Sequence, residues 1–310
     1  MQNDIEISVV VPVFNEQAVI EEFFKQAAAV LKGEGLNYEI IFVDDGSRDN
    51  SYDLLRKFKQ ASGDKVRVVK LARNFGHQLA ITAGMRSARG QAVVVMDGDL
   101  QDPPSVILEF IRHWRQGCQV IYGIRADRKG ESLFKKWTAA LFYKLIRWIT
   151  KIDIPENVGD FYLLDRKVVD ILNAMEERHR FIRGLIVWVG FKRHGVPYKR
   201  DARFAGYTKF GLWKMVKFSM DAITSFSFTP LKAIVWLGAV ISALSFAGVL
   251  VVLYQKLFTD KTIVGWTSLM VAVLFIGGVQ LLAIGIIGEY VARIGDDVKK
   301  RPLYTVDEVL

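Results

Sequence analysis

The 310-residue chain contains one cysteine, Cys118, and four histidines, at positions 77, 113, 179 and 194. A lone cysteine excludes an internal disulfide and any cysteine-ligated zinc site, and it suits a reducing compartment. The histidines show no metal-ligand spacing and read as ordinary loop or core residues. Neither a Walker loop nor G-x-G-x-x-G is present, so bound phosphates would be held by a metal and cationic side chains, without a glycine-rich cradle. No Ser-His-Asp or Cys-His signature, internal repeat or low-complexity linker is found. No secretory signal is expected, because the chain opens almost directly into a strand-like run.

Charge, by contrast, is plentiful and unevenly spread. The formal net charge is +9, and residues 125–217 alone hold 21 Lys/Arg against 10 Asp/Glu. A basic block interleaved with Trp, Phe and Leu suits an anionic surface, either nucleic acid or the cytoplasmic leaflet. The C-terminal part decides between them. Residues 233–254 and 262–288 carry no charge, and a helix needs about 20 apolar residues to cross a ~30 Å hydrocarbon core. Neither run has a polar face, so both read as membrane spans. Lys214, Lys217 and Lys232 precede the first, and Arg293, Lys299, Lys300 and Arg301 follow the second. The positive-inside rule then puts both termini and the large N-terminal part in the cytoplasm. Nucleic acid would explain the basic block, but neither the spans nor the acidic strand ends described next.

Apolar runs at 5–13, 38–43, 66–71, 91–97 and 118–124 read as buried strands, with helices over 17–32 and 50–61, after His77 and from Pro104. Unbroken apolar strands alternating with helices predict a mostly parallel sheet covered on both faces. In such sheets ligands bind at the carboxyl ends of strands. Asp44 and Asp45 follow the second strand; Asp97, Asp99 and Asp102 follow the fourth, in "VMDGDLQDPP". Carboxylates gathered at a buried strand end repel one another unless a cation neutralises them. D-x-D suits one Mg²⁺ or Mn²⁺ that keeps positions open for phosphate oxygens. Asp44 is well placed to accept hydrogen bonds from a ribose or a base. The spacing over residues 133–151 predicts an amphipathic basic helix, read either as a membrane-surface helix or as one packed on the sheet with a solvated basic face. Residues 208–228 read as a second interfacial helix.

These motifs, together with "VVVPVFNE" (9–16), "RNFGH" (73–77), "ENVGDFYLLDR" (156–166), "ERHRFIRGLIVWVGF" (177–191) and "ITSFSFTPL" (223–231), resemble the inverting family-two glycosyltransferases. The likeness is to the branch that loads sugars onto polyprenyl phosphates, nearest the bactoprenol glucosyltransferases, and it covers essentially the whole chain. It implies an α/β fold: a GT-A, Rossmann-like catalytic domain with interfacial helices and two C-terminal transmembrane helices. Its expected parts are a nucleotide-sugar core at 1–130, an acceptor-binding part at 131–230, the spans at 231–292 and a cytoplasmic tail at 293–310. The implied location is the bacterial inner membrane.

Carried over by motif, the resemblance implies that Pro12, Phe14, Glu16 and Asp44 line the nucleoside pocket. Asp97 sits near the ribose and diphosphate and adds to a metal set of Asp99 and Gln101. Asp160 holds the position of a catalytic base or acceptor-orienting carboxylate. Arg125, Arg128, Lys135, Arg203 and Lys209 receive the lipid phosphate. The implied reaction takes a sugar from a UDP donor, UDP-glucose foremost, to polyprenyl phosphate with Mg²⁺ or Mn²⁺. UDP-N-acetylglucosamine, UDP-galactose, GDP-mannose and an aminoarabinose donor stay open, as does a non-catalytic scaffold. An acceptor phosphate is already largely dianionic at neutral pH, its second pKa being near 6, so Asp160 has little proton to remove. Tyr162 stands where the group often has Arg, and Tyr207 where Glu or a small residue is usual. Gly277, Gly278, Gly285 and Gly288 in the second span favour self-association into a homo-oligomer.

Overall fold

The computed structural model describes residues 5–126, 155, 157–178, 180–200, 229–258 and 265–310. The two basic amphipathic segments, 133–151 and 208–228, lie outside them.

Five strands form from the apolar runs: β1 (Ile7–Val13), β2 (Tyr38–Asp44), β3 (Val66–Leu71), β4 (Ala92–Val95) and β5 (Val120–Arg125). Between them run α1 (Ile20–Gly33), α2 (Ser51–Ser62), α3 (His77–Ser87) and α4 (Val106–Arg115). The chain continues through β6 (Val158–Asp165), α5 (Arg166–Ala174), α6 (Ile182–Trp188), β7 (Arg193–Tyr198), α7 (Thr229–Phe258), α8 (Trp266–Val298) and β8 (Val306–Val309). One sheet holds all eight strands in the order β7-β5-β6-β4-β1-β2-β3-β8. β1 pairs in parallel with β2 and β4, whereas β6 is antiparallel to both β4 and β5.

Side chains alternate across each strand, and both faces are apolar. Val9, Val11, Phe42 and Val94 face a core shared with α1, α2 and α4. Val10, Val43, Val95 and Tyr162 face a second core with α3, α5 and α6. Stacking of Phe24 on Phe58, with ring centroids 4.6 Å apart, locks α1 to α2 and adds about 0.5–1.5 kcal/mol beyond area burial.

Helices α7 and α8 hold apolar windows, Leu231–Gly248 and Phe275–Val298, long enough to cross a membrane. The segment expected as a cytoplasmic tail, 293–310, contains the end of α8 and β8. α8 continues to Val298, Lys300 turns the chain with φ +46, and β8 returns to pair antiparallel with β3. Lys70 bonds Asp307 at 2.7 Å, and Tyr52 donates to Glu308. An otherwise open sheet edge is thereby covered by the residues that leave the second apolar helix.

Candidate active site

β2 and β3 lie to one side of β1 and β4 to the other, so the loops leaving β1 and β4 diverge and open a crevice at the strand ends. Asn15, at φ +56, accepts from the Arg48 backbone N–H at 2.8 Å, while its own N–H donates to Ser47 Oγ at 3.0 Å. The Glu16 N–H donates to Ser51 Oγ at 2.9 Å. These bonds tie the segment carrying half-buried Pro12, Phe14 and Glu16 to the "DDGS" turn.

Because strand residues alternate, the two adjacent aspartates point opposite ways. Asp44 accepts from the Ser47 N–H at 3.2 Å through Oδ1; its Oδ2 is buried and has no hydrogen-bond partner among the described residues. Burial pushes its pKa up. Such an oxygen is costly unless a ligand donor reaches it. Asp45 accepts from the Phe75 and Gly76 N–H groups at 2.7 and 3.0 Å, fixing the start of α3. Gly46 makes this docking feasible: its φ is +71, and a Cβ there would sit 2.7 Å from the backbone of Arg73 and Asn74. Gly46→Ala is therefore expected to cost at least about 1–3 kcal/mol. An unchanged melting temperature in a thermal-shift measurement would contradict this.

Antiparallel pairing brings the catalytic candidates together. β4 and β6 pair Val95 with Tyr162, and continuing that register sets Asp97 beside Asp160. Asp160 is 4% exposed. Its Oδ1 accepts from Arg183 Nε at 2.7 Å, and its Oδ2 from Arg183 Nη2 at 3.1 Å and Gln78 Nε2 at 3.2 Å. His77 Nε2 stands 3.1 Å from the same Oδ2 and 3.5 Å from Asp97 Oδ1. Gln78 Oε1 accepts from the Ile182 N–H at 3.0 Å, which turns its amide nitrogen towards Asp160. Burial works to raise the Asp160 pKa, but the Arg183 charge and the His77 hydrogen bond outweigh it and hold the carboxyl well below its usual range. A carboxylate so engaged is a poor proton acceptor.

Asp99 Oδ1 accepts from the Gln101 N–H at 3.1 Å across a turn in which Leu100 has φ +57. Asp102 is fully buried. Tyr198 donates to its Oδ1 at 2.6 Å; Arg200 Nε lies 3.3 Å from Oδ1 and Arg125 Nη2 3.6 Å from Oδ2. Arg125 reaches there across Gly159, where a Cβ would meet its guanidinium at 2.1 Å. Among the described residues, two guanidiniums thus share one carboxylate. Arg128, Lys135, Arg203 and Lys209 lie outside the described residues. Tyr162 packs in the core beside the Asp160–Arg183 pair, and its buried hydroxyl has no partner among the described residues.

Comparison with known proteins adds a decisive observation. Residues 8–172 match the glycosyl transferase family 2 model, and residues 229–294 match the GtrB C-terminal hairpin. The chain belongs to glycosyl transferase family 2. It is similar to an uncharacterised glycosyltransferase of Bacillus subtilis (strain 168), with 50% identity over 99% of this chain and 95% of the relative. It is also similar to the prophage bactoprenol glucosyl transferase homolog of Escherichia coli (strain K12), with 38% identity over 98% and 99% of the two chains. Among solved structures, mannosyltransferase PcManGT from Pyrobaculum calidifontis, in complex with GDP-Man and Mn²⁺, shares the fold. It aligns with a TM-score of 0.50 and 15% identity over 96% of this chain and 88% of that one.

For a family 2 glycosyltransferase the acidic strand end fits a hard divalent cation. Burial, together with the charges of Asp160, Asp99 and Asp102, pushes Asp97 up to about 6 even against the lowering effect of His77. That crowding is what a cation relieves. Among the described residues no three His, Cys, Asp or Glu side chains converge to hold an ion by themselves. A cation that completes its shell from diphosphate oxygens and water does not need them to.

The sequence reading missed His77, Gln78, Arg183 and Arg200 as site residues. His77 in particular sits among the acidic groups and is neither a core nor an ordinary loop residue. Its signal was its place in "RNFGH", three residues beyond which the chain enters the core at Ala80.

Proposed function

We propose that this family 2 glycosyltransferase moves a sugar from a nucleotide diphosphate donor, UDP-glucose foremost, to a polyprenyl phosphate at the cytoplasmic membrane surface. The observation that carries the reading is the pairing, at one end of the strands, of an oxygen-rich acidic centre with two guanidiniums on one carboxylate among the described residues, on a chain that also carries two membrane-length helices. The bactoprenol glucosyl transferases among its relatives support the lipid acceptor.

On this reading Pro12, Phe14, Glu16 and Asp44 take the nucleoside. Asp99 and Gln101 hold the cation, with Asp97 beside them near the ribose and diphosphate. When bound, Mg²⁺ or Mn²⁺ supplies charge neutralisation for the departing nucleoside diphosphate. Arg125 and Arg200, which share Asp102 among the described residues, leave net positive charge for the acceptor phosphate. That phosphate is already largely dianionic at neutral pH, so it needs orientation and screening more than deprotonation. Asp160, saturated with donors, suits the orienting role. Attack from the face opposite the leaving group inverts the anomeric centre, so an α-linked donor gives a β-linked product.

Arg125 offers the test. A charge-assisted hydrogen bond is worth about 1.5–3 kcal/mol, so Arg125→Gln is expected to raise KM for polyprenyl phosphate by about 10–100-fold with donor KM unchanged. An effect confined to donor KM would contradict the assignment.

A further inference from the structure

Asp160 is bonded on one side to Arg183 and Gln78. Arg183 grips both carboxylate oxygens and also donates to the Val158 carbonyl at 3.1 Å. Gln78 bridges the carboxylate to the first turn of α6. Both are fixed from behind. On the other side stands His77, with Nε2 3.1 Å from Asp160 and 3.5 Å from Asp97. Its own backbone is fixed in turn, because Asp45 binds the two N–H groups just before it. The four contacts form a chain that starts in the packed face of α6 and ends on a carboxylate of the acidic strand end.

We propose that His77 is a positioning residue that transmits the Asp160–Arg183 pair to Asp97 and thereby sets that carboxylate for the cation–diphosphate end of the site. Groups that hold a carboxylate beside a metal fix its direction, and losing one typically costs 10–100-fold in metal affinity; His77 meets Asp97 by a 3.5 Å charge contact while its hydrogen bond goes to Asp160. Asp160 accordingly acts through His77 on the donor side of the reaction. The inference rests on the donor site proposed above. It departs from it in one respect: Asp160 is assigned to the donor's cation and not to the acceptor.

The experiment is Mn²⁺ binding to the detergent-purified full chain, followed by electron paramagnetic resonance with and without UDP. Wild-type protein is expected to bind Mn²⁺ more tightly with UDP present. His77→Ala is expected to weaken that binding by about 10–100-fold. His77→Gln, whose side-chain amide nitrogen replaces Nε2, is expected to recover most of it. Asp160→Asn is expected to weaken Mn²⁺ binding as well, and the double variant to be no weaker than the worse single, because coupled residues are not additive. KM for the lipid acceptor stays within about twofold if each variant perturbs only the metal end. Unchanged Mn²⁺ affinity in His77→Ala, with wild type binding normally, overturns this inference alone. Wild type that binds no Mn²⁺ in the presence of UDP overturns the donor-site reading with it.

Discussion

Asp160→Ala is expected to lower stability by about 3–5 kcal/mol, the typical cost of removing one partner from a buried ion pair. The loss arises because Arg183, only 28% exposed at its side chain, keeps its charge and loses the carboxylate that both its Nε and Nη2 bond. Gln78 loses its acceptor at the same time. Arg183→Ala is expected to cost a similar amount, since the near-buried Asp160 would then lie among Asp97 and His77 without its main counter-charge. Replacing both at once, as Asp160→Leu with Arg183→Met, should recover much of the stability, because apolar groups of similar volume avoid the desolvation of two charges. Such a double variant would fold and not transfer sugar. Chemical denaturation of the single and double variants in one detergent checks this. A single variant as stable as wild type would show that the pair does not organise the crevice.

Asp99→Asn is expected to reduce transfer by about 10²–10³-fold, the scale seen when one preorganised charge-stabilising group is removed, with folding and membrane insertion intact. One structural contact of Asp99, through Oδ1 to the Gln101 N–H at 3.1 Å, survives in asparagine, whose side-chain carbonyl accepts the same bond. What changes is the negative charge available to a cation. Initial rates across a Mn²⁺ titration separate the two contributions. Retained turnover at low metal would remove Asp99 from the cation site.

The parallel half of the fold was legible because buried strands announce themselves as unbroken apolar runs, and β1 to β5 lie where those runs are. Asp44, Asp97 and Asp99 were legible for the same reason, as charges standing where such runs stop. The antiparallel pairing of β4 with β6 was not legible. It joins residues more than 60 positions apart, and no local pattern in "VGDFYLLD" announces its partner. Yet that pairing alone brings Asp160 beside Asp97. The clamp on Asp160 escaped for a related reason. His77 and Gln78 at the start of α3 and Arg183 on α6 converge only when both helices pack on one face of the sheet. Arg125 also sits against Asp102 at 3.6 Å, a contact that a strand-end arginine does not reveal until β5 and the "DLQDPP" turn are placed together. β8 was hidden by its composition, since "VDEV" is too short and too charged to read as a strand without the β3 edge it covers.

The most direct measurement is transfer of labelled glucose from UDP-glucose to undecaprenyl phosphate by the purified full chain, with Mg²⁺ or Mn²⁺ and then with a chelator. Label that enters the lipid extract, depends on the divalent cation and on the acceptor's phosphate, and is lost in Asp99→Asn is the expected result. A folded protein that transfers no glucose under either metal, or transfers it equally well to the unphosphorylated alcohol, would contradict the account.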